Sequence, residues 1–228
     1  MNRYKALGIA FAAVLALSAL AAQTASASPL TVTEGASGTT FYTGDQDNAT
    51  WIWKDSSGNE ANCPATSIAA SSSGATVSET TWTATYEKCT GFGFPMHWNH
   101  NGCTYTFTEP TQLKAGEVTW NASAIHILCP TGKQIEYTPT VLGTSVCTRF
   151  VNPQTPTSGH VVGRNAGKSG ATEMDVTLEI TLSGIHYTGT GGVCGNSETH
   201  TDWSWSGNST VRAYSNGGHS TQRGITFS

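Results

Sequence analysis

Residues 174–182 have the sequence Met-Asp-Val-Thr-Leu-Glu-Ile-Thr-Leu, an unbroken alternation of apolar and polar side chains. Successive side chains of an extended strand point to opposite faces, so this stretch has one apolar and one polar face. Its Val, Ile and Thr residues also favour extended structure. The stretch therefore predicts a half-buried β-strand, with a short continuation at 185–187 after Gly184.

The same two-residue period recurs along the chain, between turn signals rich in Gly, Asn and Asp. A change of phase at 122–124 predicts a bulge, and the stretch 153–170, rich in Pro and Gly, predicts an exposed loop or a hinge. A final strand is predicted at 225–227. We therefore predict an all-β protein, a β-sandwich of two antiparallel sheets, formed by one domain over 28–228.

The N-terminus has the pattern of an export signal. Positive charge in residues 1–5 precedes an apolar run over 6–22, and Ala25-Ser26-Ala27 matches the small-x-small cleavage pattern. The pattern predicts a signal peptide over 1–27, of the short Ala-rich kind typical of bacteria. We therefore expect the mature protein to be secreted or associated with the cell envelope.

The charge, the apolar stretches and the motifs of the sequence exclude several classes of partner and cofactor. Cleavage removes Arg3 and Lys5 and no acid, which changes the formal net charge from −4 to −6. With no run of Lys or Arg left, nucleic acid is not an expected partner. No second apolar stretch is long enough to span a membrane. The segment 163–169 resembles a phosphate-binding loop but has one residue too few between its glycines, so no cofactor is predicted.

The six cysteines predict three disulfides, because an even number in an exported chain is typical of a disulfide framework. Fifteen connectivities are open. Proximity in the sequence favours Cys89–Cys103 and Cys129–Cys147, which leaves Cys63 with Cys194.

Several short motifs follow one another in a fixed order. They are 86–93 (Tyr-Glu-Lys-Cys-Thr-Gly-Phe-Gly), 101–107 (Asn-Gly-Cys-Thr-Tyr-Thr-Phe), 129–133 (Cys-Pro-Thr-Gly-Lys), Cys147 with 151–154, and 184–187 upstream of Cys194. Over about residues 60–212 the chain resembles the secreted six-cysteine β-rich proteins of actinobacterial type, a group of uncharacterised function. The resemblance implies export and a β-rich fold, and it implies no activity, cofactor or catalytic residue.

His97 and His100 are the candidate metal ligands. Two imidazoles three residues apart in a loop between cysteines could share Zn²⁺ or Cu²⁺, with a third ligand from His126, His186 or Asp202. Such a site would suit a metal-assisted hydrolase. The alternative is an exposed polar loop with solvated histidines.

Tryptophan supplies the other functional signal. Trp203 and Trp205 share one strand face, as do Trp51 and Trp53, and Trp98 lies in a glycine-flanked loop. If the indoles are exposed, they could stack on sugar rings. If they are buried, they would belong to the hydrophobic core.

The sequence contains no recognisable set of catalytic residues. It lacks a Gly-x-Ser-x-Gly motif that would present a serine nucleophile, and its acidic residues Glu173, Asp175 and Glu179 lie on one polar strand face. We therefore expect a non-enzymatic binding or structural protein, with a surface glycan or a protein as partner. The alternatives are a carbohydrate-binding module using Trp98, Trp203 and Trp205, and a metal-assisted hydrolase at His97 and His100.

Overall fold

The computed structural model describes residues 30–32, 38–46, 50–166, 175–191, 194 and 199–227, and the predicted signal peptide lies outside them. These residues form strands and one three-residue 3-10 helix, which confirms the all-β prediction. The strands are β1 Leu30–Val32, β2 Thr39–Gln46, β3 Trp51–Lys54, β4 Glu60–Cys63, β5 Ala65–Ser73, β6 Thr76–Val77, β7 Glu79–Glu87, β8 Thr90–Gly91, β9 Phe94–Asn99, β10 Thr104–Thr108, β11 Thr111–Lys114, β12 Glu117–Asn121, β13 Ile125–Leu128, β14 Ile135–Val141, β15 Thr144–Ser145, β16 Thr148–Val151, β17 Ser158–Ala166, β18 Asp175–Thr190, β19 Thr199–Tyr214, β20 Gln222–Arg223 and β21 Ile225–Phe227.

Eight strands close into an antiparallel barrel. Their order round the ring is β3, β4, β8, β9, β14, β16, β18 and β19, and β19 pairs back with β3. The predicted sandwich of two sheets is therefore wrong. Alternating apolar and polar residues require one buried face per strand, and a closed barrel meets that requirement as well as a sandwich does.

The longest strands, β18 and β19, have 16 residues each and extend beyond the barrel. Their register shifts between Leu182 and Ile185, next to Gly184, whose φ is 66°. Beyond this irregularity the two strands enter a second sheet, ordered β11-β12-β17-β18-β19-β2-β5-β7-β10-β13. One pair of long strands thus serves both the barrel and the second sheet.

The second sheet curls round, because β12 and β13 are consecutive in the chain and lie near its opposite ends. The 3-10 helix Ala122–Ala124 joins them, at the place where the alternation changes phase. The predicted bulge is therefore a 3-10 turn. A separate three-stranded sheet, β21-β1-β6, contains the predicted terminal strand.

All six cysteines form disulfides, as predicted, but the favoured pairing is wrong. The bridges are Cys63–Cys89, Cys103–Cys129 and Cys147–Cys194. The first two extend an existing strand register by one residue: Asn62 pairs with Thr90, and Thr104 with Leu128. Paired strands hold the Cα atoms of these two bridges 4.1 and 4.0 Å apart. Strand pairing, rather than distance along the chain, decides the connectivity.

The stretch 153–170, predicted to be a loop or hinge, contains strand β17. Gly159 and Gly163 lie within this strand, and both face close neighbours. A Cβ added at Gly159 would lie 2.2 Å from the Thr181 carbonyl oxygen, and one at Gly163 would lie 2.6 Å from the Phe227 ring. These glycines allow close packing. In the described part of the chain, no helix is long and apolar enough to cross a membrane.

Candidate binding site

The predicted tryptophan platform is core in this structure. Trp98, Trp203 and Trp205 are 8%, 0% and 2% exposed, and Trp51 and Trp53 are fully buried. Alternation does place each pair on one strand face, but that face lines the inside of the barrel. The indoles pack on each other and on tyrosines. Trp53 stacks on Trp205 with ring centroids 4.9 Å apart, and Trp98 stacks on Tyr137 at 5.3 Å. They offer no face on which a sugar could stack.

The predicted metal ligands His97 and His100 point to different environments. His97 is exposed on β9, whereas His100 is partly buried. The His100 ring stacks on Tyr86 at 5.0 Å, and its Nε2 lies 3.3 Å from the Tyr105 hydroxyl. Burial lowers the pKa of His100 to about 4. Among the described residues, no group of three His, Cys, Asp or Glu side chains is arranged to hold a metal ion.

The candidates for a third ligand have other contacts. His126 Nδ1 lies 2.8 Å from the Thr155 hydroxyl, and the His186 backbone N–H donates to Gln154 Oε1. Asp202 accepts hydrogen bonds from the hydroxyl and the backbone N–H of Ser56. The hydrogen bond from the Ser56 hydroxyl is the main cause that lowers the pKa of Asp202. The structure therefore brings none of the three to His97 and His100.

In the described part of the chain, one end of the barrel collects three turns, which we call the turn end together with the strand residues next to them: 55–59 between β3 and β4, Phe92–Gly93 between β8 and β9, and Leu142–Gly143 between β14 and β15. Strand register places them together. Gly91 pairs with Ala61, which sets the first two turns side by side. Met96 pairs with Pro139, and the Thr140 hydroxyl donates to the Pro95 carbonyl, which brings the third turn beside the second. Loops collected at the end of a rigid scaffold are a frequent location for binding sites.

A buried ion pair supports the turn end from inside. Arg149 Nη2 donates to Asp55 Oδ2 at 3.0 Å, and both side chains are about 4% exposed. Asn59 also donates to the Asp55 carboxylate, from its backbone N–H and from Nδ2, at 2.9 Å each. Because Asp55 begins the β3–β4 turn and Asn59 ends it, these bonds fix the shape of that turn.

Aromatic rings surround the Arg149 guanidinium. Its carbon lies 4.7 Å from the Phe92 ring centroid and 4.6 Å from that of Tyr187. Cations are attracted to the faces of aromatic rings, more strongly where water is excluded. The ion pair therefore holds the β8–β9 turn, through Phe92, as well as the β3–β4 turn, through Asp55.

Two bulky residues of the turn end have a backbone conformation that favours glycine or asparagine. Phe92 has a φ of 56° and Leu142 a φ of 49°. Each begins a two-residue turn that continues with Gly, at Gly93 and Gly143. Contact with Arg149 stabilises Phe92, but the Leu142 side chain is fully exposed. Strained residues of this kind are concentrated at functional sites.

An open cleft of about 580 Å³ lies between the β3–β4 and β8–β9 turns. It has the size of a ligand site, and Phe94 in its wall is 36% exposed. Its lining residues are Gly58, Asn59, Glu60, Asn62, Phe92, Gly93 and Phe94. Glu60 Oε1 accepts a hydrogen bond from Lys54 Nζ at 2.8 Å, and this contact lowers the pKa of Glu60 and raises that of Lys54.

Phe92 belongs to the 86–93 motif, and no sequence pattern described above predicted a cleft beside it. The available signal was Gly91-Phe92-Gly93-Phe94, in which a bulky residue occupies the first position of a two-residue turn where Asn or Asp is usual.

No protein-family model matches the chain, and no curated protein or solved structure shows significant similarity to it. The resemblance to secreted six-cysteine proteins stays a prediction.

Proposed function

We propose that this protein is an exported, non-enzymatic binding protein of the extracellular space or cell envelope, and that the turn end of the barrel is its binding face. Three disulfides are consistent with an oxidising compartment. The observation that supports this proposal is that bulky apolar residues with a strained backbone, Phe92 and Leu142, occur together with the exposed side chains of Phe94 and Leu142 at this end of the barrel.

Leu142 has an energetic cost in the isolated protein. A left-handed backbone costs an ordinary residue about 1–2 kcal/mol, and asparagine or glycine would avoid this cost. The Leu142 side chain is fully exposed, so burial within the barrel does not offset the cost. A partner that covers Leu142 would offset it. Phe94, at the neighbouring turn, would be covered by the same partner.

Exposed leucines elsewhere provide a matched control. Large exposed apolar residues in the described part of the chain are Phe94 and Leu142 at the turn end, and Leu113 and Leu128 on β11 and β13, outside the barrel. Scattered single leucines are ordinary on protein surfaces. The proposal requires that the first two contribute to binding and the second two do not.

The test measures binding of labelled mature protein to the envelope fraction of the producing organism by co-sedimentation. We expect saturable binding that Phe94→Ser or Leu142→Ser weakens at least roughly tenfold, whereas Leu113→Ser and Leu128→Ser change it less than about twofold. Absence of saturable binding by the wild type, or equal effects of all four substitutions, would contradict the proposal.

A further inference from the structure

We infer that the cleft between the β3–β4 and β8–β9 turns binds an uncharged saccharide. This inference rests on the proposed function, because it names the ligand class that the turn end would bind. The tryptophans predicted to bind sugar are buried. In this inference the sugar instead contacts Phe94 and the polar side chains beside it.

The lining of the cleft combines one exposed aromatic wall with amide and carboxylate groups. Asn59, Glu60 and Asn62 are partly exposed, and all three line the cleft with Phe94. A side-chain amide both donates and accepts hydrogen bonds, as a sugar hydroxyl does, and a carboxylate accepts them. An aromatic face packs against the apolar face of a sugar ring. Asn59 and Glu60 keep hydrogen-bonding capacity beyond their bonds to Asp55 and Lys54, and an apolar ligand would desolvate these groups without supplying new partners.

The charge of the cleft disfavours an anionic ligand. Glu60 is the one charged residue among the seven that line it, and the positive charge nearest its carboxylate, Lys54, is already paired with it. A phosphate or an acidic sugar would meet the Glu60 carboxylate without a free cation to bind it. An uncharged ligand avoids this repulsion.

A second open cleft serves as an internal comparison. It has about 300 Å³ and lies at the junction of β4 and β5, and its lining residues are Asp45, Gln46, Pro64, Ala65, Thr66, Ser67 and Glu87. None of these seven described residues is aromatic. Polar groups are common to both clefts, so the aromatic wall is the feature that favours sugar binding at the turn end.

Two residues of the cleft lining are preorganised. Phe92 lies on the buried Arg149 guanidinium, and Asn59 is held by its two hydrogen bonds to Asp55. A site that is already ordered loses less conformational entropy when its ligand binds.

The experiment begins with the envelope fraction, treated either with protease or with periodate, which cleaves the vicinal diols of sugars. Polysaccharide released from the protease-treated fraction is then separated by anion exchange into a neutral and an acidic pool. Binding of each immobilised pool is measured for the wild type, Phe94→Ala, Phe94→Trp and Asn62→Ala. Ser67→Ala, in the second cleft, is the matched control, and near-ultraviolet circular dichroism of the buried indoles checks the fold of every variant.

The inference predicts binding that survives protease, is lost after periodate and is retained by the neutral pool. Phe94→Ala and Asn62→Ala should weaken it at least roughly tenfold, while Phe94→Trp and Ser67→Ala stay within about threefold of the wild type. Binding that resists periodate but is lost after protease would overturn the saccharide assignment in favour of a protein partner, with the turn end still the binding face. Binding of the acidic pool alone would overturn it too.

Discussion

The buried ion pair between Arg149 and Asp55 should be the largest polar contribution to the stability of the turn end. At 3.0 Å and an effective dielectric constant of 20, two unit charges attract by about 5–6 kcal/mol. Removing one partner leaves the other charge buried, which typically costs 3–5 kcal/mol. We therefore expect Arg149→Met and Asp55→Asn each to lower the free energy of unfolding by about 3–5 kcal/mol.

The double variant should be less destabilised than the two single variants added together, because it leaves no uncompensated charge. We expect a coupling of about 2 kcal/mol or more. The assay is urea unfolding of the oxidised mature protein at pH 7, followed by the fluorescence of its buried tryptophans. The same cycle on the exposed pair Lys54–Glu60 is the control, and its coupling should be much smaller and should fall with added salt.

Additive effects of Arg149→Met and Asp55→Asn would refute this reasoning. So would single-variant effects below about 1 kcal/mol, because values of that size are typical of solvated surface pairs.

The remaining predictions concern acid stability, packing, strain and connectivity. The pKa of His100 is about 4 in the folded protein, below its usual 6.5, so the unfolded chain takes up the proton first and stability falls as the pH drops from 6.5 to about 4. The free energy of unfolding should fall by up to about 3 kcal/mol over this pH range. Measured by urea unfolding, it should depend less steeply on pH in His100→Gln than in the wild type, and equal pH dependence would contradict the lowered pKa of His100. Gly207→Ala should destabilise by about 1–3 kcal/mol, because its Cβ would lie 2.6 Å from the Trp51 ring, whereas the control Gly218→Ala should have little effect in the same assay. Leu142→Asn should raise the free energy of unfolding by about 1 kcal/mol while weakening envelope binding, and a destabilised variant would show that Leu142 has a structural role. A non-reducing peptide map should contain the three bridges Cys63–Cys89, Cys103–Cys129 and Cys147–Cys194, and any other bridge would contradict the strand register.

Local sequence patterns predicted individual strands well. The alternation over 176–182 lies within β18, and the phase change at 122–124 coincides with the 3-10 helix. Both follow from the two-residue period of a strand, which the sequence displays directly. The same period places Trp203 and Trp205 on one face of β19.

Strand partners were harder to predict, because alternation says which face is buried and nothing about which strand lies beside it. Closure of the barrel, the disulfide connectivity and the buried position of the tryptophans all depend on those partners. Gly159 and Gly163 suggested a loop, although close packing against Thr181 and Phe227 explains both. The cleft depends on two turns about 35 residues apart in the chain, and only the pairing of β4 with β8 brings them together.

Hydrogen–deuterium exchange of the mature protein, with and without the neutral polysaccharide pool, tests the binding face most directly. Protection of backbone amides should be concentrated at 55–62, 90–95 and 140–145, with residues 111–117 of the β11–β12 hairpin unchanged. Protection centred on β11–β12 or on the second cleft, with the turn end unchanged, would contradict the account.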